Sequence, residues 1–254
     1  MDKLFWTQAR LPDASPETLA EARGHLGLVE APRETIWLAS VMNIVATDYG
    51  YLESIRRNSS VWGDGAPIPM YTYSLIEYLS GLDFTAFDVA EFGAGVSTRF
   101  WSAHARSVTA LENDPAWIER LKQDAGANVE IIHAADMPFV FRSLGRSFGV
   151  IVVDCKGNRF DCAAAAVERL APGGMIILDN SDWYPNSAAL LRDADLIQVD
   201  FPGLRPGRFH ACVTSIFLRR DFTPRPKGKT LPASPAGGKP RPPGPWDRPA
   251  TASP

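Results

Sequence analysis

Residues 89–113 read VAEFGAGVSTRFWSAHARSVTALEN. A short apolar run, a glycine turn, a helical stretch opening near Ser97 and a second apolar run ending on an acid make half of a nucleotide-binding βαβ unit. Gly93 and Gly95 let the turn backbone approach a ligand closely, and the helix start points its free N–H groups at a negatively charged part of it. Glu112 stands nineteen residues after Gly93, at the tip of the next strand, where a carboxylate accepts ribose hydroxyls. The alternative is a solvated cap after a GxG turn of a kind that recurs by chance. Thr98 occupies the place where a dinucleotide fingerprint has Gly or Ala, which disfavours NAD and leaves a single-nucleoside ligand.

The chain has 254 residues, 45% of them hydrophobic, enough for one α/β core with extensions. A formal charge of −3 gives no electrostatic case for a nucleic-acid partner. Cys155, Cys162 and Cys212 are odd in number and lack CxxC spacing, so neither a disulfide framework nor a zinc knuckle is indicated. The opening MDKLFWTQARLPD lacks the apolar stretch of a signal peptide, and no run approaches the roughly 18 to 20 apolar residues of a membrane span. The expected setting is cytoplasmic and reducing, with no membrane partner.

Residues 1–70 read as a helical extension and loop. Asp13 or Ser15 caps a helix over PETLAEARGHLG, and residues 33–48 place Ile36, Trp37, Val41, Ile44 and Val45 mostly on one helical face. That face either packs on the main domain or forms a lid. Residues 62–73, WGDGAPIPMYTY, predict a fixed loop feeding the helix SLIEYLSGL, with Tyr71 and Tyr73 either in the core or lining the ligand pocket.

Downstream, PAWIERLKQDA predicts a helix started by Asp114 and Pro115, and NVEIIHA a third strand. Asp136 follows as the N-cap of a short helix or as a partner for an adenine amino group. The β-branched run 150–153 predicts a central strand ending on Asp154, followed by a helix over 163–170, a stop and turn at Pro172, Gly173 and Gly174, and a buried strand over 175–178 ending on Asp179 and Asn180. Residues 196–201 and 211–218 flank a short turn and predict an antiparallel pair. From Thr223 the chain holds ten of its 21 prolines, with six Lys and Arg against one Asp, and predicts a disordered, basic, Pro-rich tail.

These features together resemble the class I S-adenosylmethionine-dependent methyltransferases over roughly residues 71–220, within an expected domain of residues 71–222, most specifically in EFGAG and LAPGGMIILDN. The resemblance implies a Rossmann-like, seven-stranded, mostly parallel sheet with an antiparallel C-terminal strand and helices on both faces. It implies S-adenosylmethionine as cofactor, with Glu91, Gly93, Gly95 and Ser97 at the methionine end, Glu112 and Asn113 at the ribose, Asp136 at the adenine, and Asp154 and Tyr73 close by.

A narrower similarity, to metal-dependent catechol and caffeoyl-CoA O-methyltransferases, makes Asp154, Asp179 and Asn180 an Mg²⁺ ligand set and Lys156 a general base. Lys156 follows Asp154 by two positions, where that group has three. Asp154 facing the sulfonium, Asp179 and Asn180 capping a loop, and Arg159 pairing with one of the acids are the structural alternatives. His210 is the other candidate base, while His25, His104 and His133 lack motif context. The implied activity is O-methylation of a small hydroxylated molecule, with metal-free N- or carboxyl-methylation and non-catalytic cofactor binding as alternatives. A homodimer is compatible with the sequence.

Overall fold

The computed structural model describes residue 20 and residues 32–228 and 232–239. The expected first helix over PETLAEARGHLG lies outside the described residues. Helix α1 (Arg33–Asn43) continues into a π-helical turn at Ile44–Asp48 and is followed by α2 (Tyr51–Arg57). The loop after it is held by Trp62 N–H to Ala66 O (2.9 Å) and Ile68 N–H to Ser60 O (3.1 Å), and leads into α3 (Tyr73–Ser80).

Strands and helices then alternate: β1 (Phe84–Phe92), α4 (Val96–His104), β2 (Ala105–Glu112), α5 (Pro115–Lys122), β3 (Val129–His133), α6 (Met137–Ser143), β4 (Phe148–Val153), α7 (Arg159–Arg169), β5 (Leu170–Leu178) and α8 (Pro185–Asp193). Strands β6 (Ile197–Gly203) and β7 (Cys212–Leu218) complete a seven-stranded sheet in the order β3-β2-β1-β4-β5-β7-β6. All neighbours are parallel except that β7 runs antiparallel to both β5 and β6. This is the α/β architecture that the sequence predicts.

Local chemistry accounts for the helix starts. Asp114 accepts from the N–H groups of Ala116 and Trp117 at the start of α5, and Asn158 accepts from Asp161 N–H at the start of α7. Asp136 accepts from Phe139 N–H, so its capping role is observed. The Pro-Gly-Gly segment, expected as a stop and turn, lies within β5 as an irregularity. Pairing with β4 steps from Phe148↔Leu170 to Val150↔Met175, and Gly173 absorbs the excess at φ +65°.

Alternation in the strands divides the core. Val89, Val150 and Val152 face Leu75, Ile76, Phe100 and Trp101 of α3 and α4. Phe92, Ile151 and Val153 face Phe141 of α6 and the alanines of α7. Strand β4 is buried along its whole length, as expected for a central parallel strand. From Thr223 the chain first runs beside the α3–β1 connection. Asp83 N–H donates to Arg225 O (2.8 Å) and Lys227 N–H to Gly81 O (2.9 Å), while Ala236 N–H donates to Glu77 Oε1 (2.7 Å). Among the described residues no helix is long and apolar enough to cross a membrane.

Phe141 is fully buried against Phe92 and Phe148, with ring centroids 4.6 and 5.5 Å away. Phe141→Ala is expected to cost about 3–5 kcal/mol of stability, read by urea unfolding at constant m-value.

Candidate functional site

The strand order reverses between β1 and β4, and their C-terminal ends open the crevice where doubly wound sheets hold ligands. Backbone bonds continue the ladder one residue beyond the strands. Gly93 N–H donates to Leu111 O (2.8 Å), Asp154 N–H to Phe92 O (3.1 Å), Ala134 N–H to Glu112 O (2.8 Å) and Asp179 N–H to Val153 O (3.3 Å). The glycine turn and three strand-tip acids are thereby held in one row.

Gly93 sits at φ +91°, and a Cβ there would lie 3.0 Å from both Asp154 O and Cys155 Cα. Gly95 is extended, and a Cβ on it would meet nothing within 4 Å, so it faces open space at the mouth of α4. Gly95 N–H donates to Thr98 Oγ1 (3.0 Å), which gives Thr98 a capping role beyond its value in disfavouring a dinucleotide. Trp117 Nε1 donates to Ala94 O (2.8 Å) and closes the outer side of the turn.

Glu112 is held by three backbone donors: Oε1 accepts from Asn113 N–H (2.8 Å) and Asp114 N–H (3.0 Å), and Oε2 from Ala94 N–H (3.1 Å). These bonds fix the carboxylate beside the turn and leave one acceptor direction, on Oε2. Asn113 is exposed next to it. A cavity of about 350 Å³ lies alongside and is lined by Asn113, Asp136, Cys155, Lys156, Asn158 and Cys162.

Glu91 follows the alternation of β1 and lies on the apolar α3/α4 face, fully buried, with neither carboxylate oxygen hydrogen-bonded. Burial pushes its pKa up to about 7, the hydroxyls of Thr98 and Ser97 oppose the rise, and Asp154 adds to it. Tyr71, fully buried and within 3.5 Å of Trp101 Nε1 through its hydroxyl, is the tyrosine that feels Glu91, Asp154 and Asp179; burial, then Glu91, pushes its phenol well up. Tyr73 instead joins an aromatic cluster, edge-on to Tyr49 at 4.8 Å and stacked on Trp62 at 6.1 Å. Of the two tyrosines expected in the core or lining the pocket, Tyr71 is the one near the strand-tip acids.

At the β4 and β5 tips the acids meet arginines. Arg159 Nη2 donates to Asp154 Oδ1 at 2.7 Å, and Arg159 Nη1 donates to Asp179 O. Arg205 Nη1 lies 3.6 Å from Asp179 Oδ2, and Thr214 Oγ1 donates to Asp179 Oδ1 (2.7 Å). In the orientation that satisfies its amide, Asn180 donates to Asp179 Oδ2 and accepts from Arg205 Nη1, both at 2.9 Å. Burial raises the Asp179 pKa to about 7, with Asp154 adding and Thr214 opposing. As arranged, these residues do not fit Mg²⁺: guanidinium groups face both carboxylates, and the Asn180 oxygen is turned to Arg205.

The two proposed bases part company. Lys156 is exposed on the wall of the 350 Å³ cavity. His210 Nε2 lies 3.1 Å from Arg205 Nη2, and its ring stacks at 5.9 Å on Trp183. Since arginine only donates, Nε2 is the acceptor and His210 has no other lone pair to take a proton. Arg205 itself was missed in the sequence, where nothing within twenty residues marks it as a partner of Asp179. Arg159 guanidinium also lies over the Tyr184 ring at 4.4 Å.

The fold and the row of strand-tip acids define a doubly wound protein with a crevice at the β1/β4 switch point. Solved structures similar to this chain include several methyltransferases and a precorrin 8w decarboxylase from Methanobacterium thermoautotrophicum. They include N-methyltransferase NodS from Bradyrhizobium japonicum WM9 (16% identity, TM-score 0.44, covering 60% of this chain and 92% of that one). Precorrin-6y C5,15-methyltransferase from Geobacter metallireducens GS-15 is 18% identical (TM-score 0.44, 57% and 86%), and an rRNA methylase from Streptococcus thermophilus 13% (TM-score 0.44, 61% and 100%). At these values the likeness carries no argument about activity, which rests on this chain's own residues. No protein-family model matches the chain, and no curated protein matches it.

Three substitutions test the turn and the buried acid. Gly93→Ala is expected to lose on the order of 1–3 kcal/mol, and Gly95→Ala to melt with the parent, as measured by calorimetric scans. With a folded pKa near 7 against an ordinary 4.5, Glu91 contributes stability that is full below pH 4.5 and falls as pH rises through 7. Glu91→Gln removes that fall, on the order of 3 kcal/mol, so urea unfolding at pH 4.5 and pH 8 is expected to differ less in the variant.

Proposed function

We propose that this chain is an S-adenosylmethionine-dependent methyltransferase that methylates a hydroxyl group of a small molecule without a metal ion. The observation that carries this reading is the pairing of a glycine turn open at Gly95 with a backbone-held Glu112 and a buried, unpartnered Glu91. A nucleoside carrying a cationic amino-acid end matches that set, and no lysine stands in the turn for a phosphate.

In this reading Glu112 Oε2 accepts one ribose hydroxyl and Asn113 offers a second polar group. Glu91, Gly95 and Ser97 take the methionine end, and the cavity with Asp136 and Lys156 receives the adenine. The bound cofactor supplies an electrophilic methyl group on a sulfonium. Asp154, with Oδ1 on Arg159 and its side chain 29% exposed, turns its other oxygen to the acceptor and takes the hydroxyl proton. The remaining contribution is alignment of oxygen, methyl and sulfur. Arg159 and Arg205 supply the positive charge that a metal would bring. The overall charge of −3 supports a small acceptor over nucleic acid. Methylation of a carboxylate is the second reading, favoured by Arg205, whose buried Nε has no partner.

Calorimetry with S-adenosylhomocysteine is expected to show binding that Glu112→Ala weakens about ten- to hundredfold. Absence of binding to the parent chain would overturn the reading. Methyl transfer to a panel of phenols and polyols is expected to be unchanged by EDTA, and loss restored by Mg²⁺ would overturn the metal-free version.

A further inference from the structure

Cys155 and Cys162 lie seven positions apart, without a motif that joins them. The fold brings their Sγ atoms to 3.5 Å, both thiols free and each residue 2% exposed. Two features cause this approach. Cys155 is the second residue beyond β4, pinned through Asp154 N–H to Phe92 O, and Cys162 is in the first turn of α7. Arg159 Nε donates to Cys155 O (3.0 Å) and draws the start of α7 back onto the strand tip.

Their position ties the pair to the ligand site. Both cysteines line the cavity that also holds Asn113, Asp136 and Lys156. The Cys155 backbone is what a Cβ at Gly93 would strike at 3.0 Å, so it supports the glycine turn from below. The connecting loop has slack at Gly157, which sits at φ +120° with open space around it.

We propose that Cys155 and Cys162 form a reversible disulfide that shifts the glycine turn and weakens cofactor binding, making this site responsive to two-electron oxidants such as peroxides. The proposal rests on the cofactor reading above. A bonded pair sits about 2.05 Å apart, so closure draws the sulfurs roughly 1.5 Å together and displaces the Cys155 backbone or the start of α7. The Cys155 thiolate attacks the peroxide, an S–O bond forms, the O–O bond breaks and hydroxide leaves to be protonated. Cys162 sulfur then attacks Cys155 sulfur, the S–S bond forms, the S–O bond breaks, and water leaves with the Cys162 proton. Two thiols are oxidised and one peroxide is reduced to two waters.

The contact between the two thiols, in which either sulfur can donate, holds the Cys155 thiol below its ordinary range with help from Arg159. Burial pushes the third thiol, Cys212, up to about 11, and it serves as the internal control.

The full chain is treated with the two-electron oxidant diamide, digested with trypsin and mapped by mass spectrometry without reduction. Cleavage at Lys156 and Arg159 separates SFGVIVVDCK from FDCAAAAVER, so the disulfide appears as these two peptides joined. S-adenosylhomocysteine is expected to bind the oxidised chain about tenfold or more weakly, with recovery in dithiothreitol, and by linkage to protect the pair from oxidation. Cys162→Ser and Cys162→Ala, each checked by thermal melting, are expected to bind equally before and after diamide, and Cys212→Ser to behave as the parent.

Both thiols remaining open to alkylation after diamide, a crosslink through Cys212 instead, or a crosslinked chain with unchanged affinity would each overturn the proposal. Failure of the reduced chain to bind S-adenosylhomocysteine would instead sink the cofactor reading, while peptide mapping still reads whether the disulfide forms.

Discussion

The site depends on backbone hydrogen bonds that carry the parallel ladder one residue past the strand ends. Gly93 to Leu111, Asp154 to Phe92, Ala134 to Glu112 and Asp179 to Val153 form a row in which the position of each residue is set by main chain. Such bonds are obligatory in a buried sheet, since an unpaired amide there costs the desolvation of its N–H. Side chains at the tips are therefore free to do something other than hold the fold. The crevice opens beyond the paired ends of β1 and β4 because their helical connections pass to opposite faces of the sheet.

Electrostatics at this row divides into two halves. On the glycine side, acids stand without cations: Glu112 is neutralised by backbone dipoles, and Glu91 is buried with only the hydroxyls of Thr98 and Ser97 to favour its charge. On the β4 and β5 side, Asp154 and Asp179 each meet an arginine, Arg159 and Arg205, backed by the rings of Tyr184 and Trp183. Burying such pairs is a weak source of stability, because desolvation offsets most of the Coulomb gain. Their consequence is geometric: they orient carboxylates and remove the net charge that would otherwise attract a divalent cation. In the proposed reading the first half faces the cofactor and the second the acceptor.

Much of the fold was legible because its causes are local. The β-branched run at 150–153, the caps at Asp114 and Asp136, and the short connection between β6 and β7 act over a few residues, and each produced the predicted element. The Pro-Gly-Gly segment was misread as a stop because the residues that end a helix also make a bulge. Only the pairing with β4 distinguishes the two. Nearness in sequence leaves Tyr71 and Tyr73 equal candidates for core or pocket; the start of α3 points Tyr73 to Tyr49 and Trp62, leaving Tyr71 near Glu91.

By itself, the sequence determined the order of strands and helices, the glycine turn and the acids at the strand tips, since period, capping and turn chemistry are short-range. Tertiary structure decided what those acids face and which cysteines meet. Arg205 reaches Asp179 across 26 positions, and Cys155 reaches Cys162 only because α7 folds back on its strand. Charge pairing and thiol contact are set by distances of a few ångströms in space, and no residue spacing along the chain encodes them.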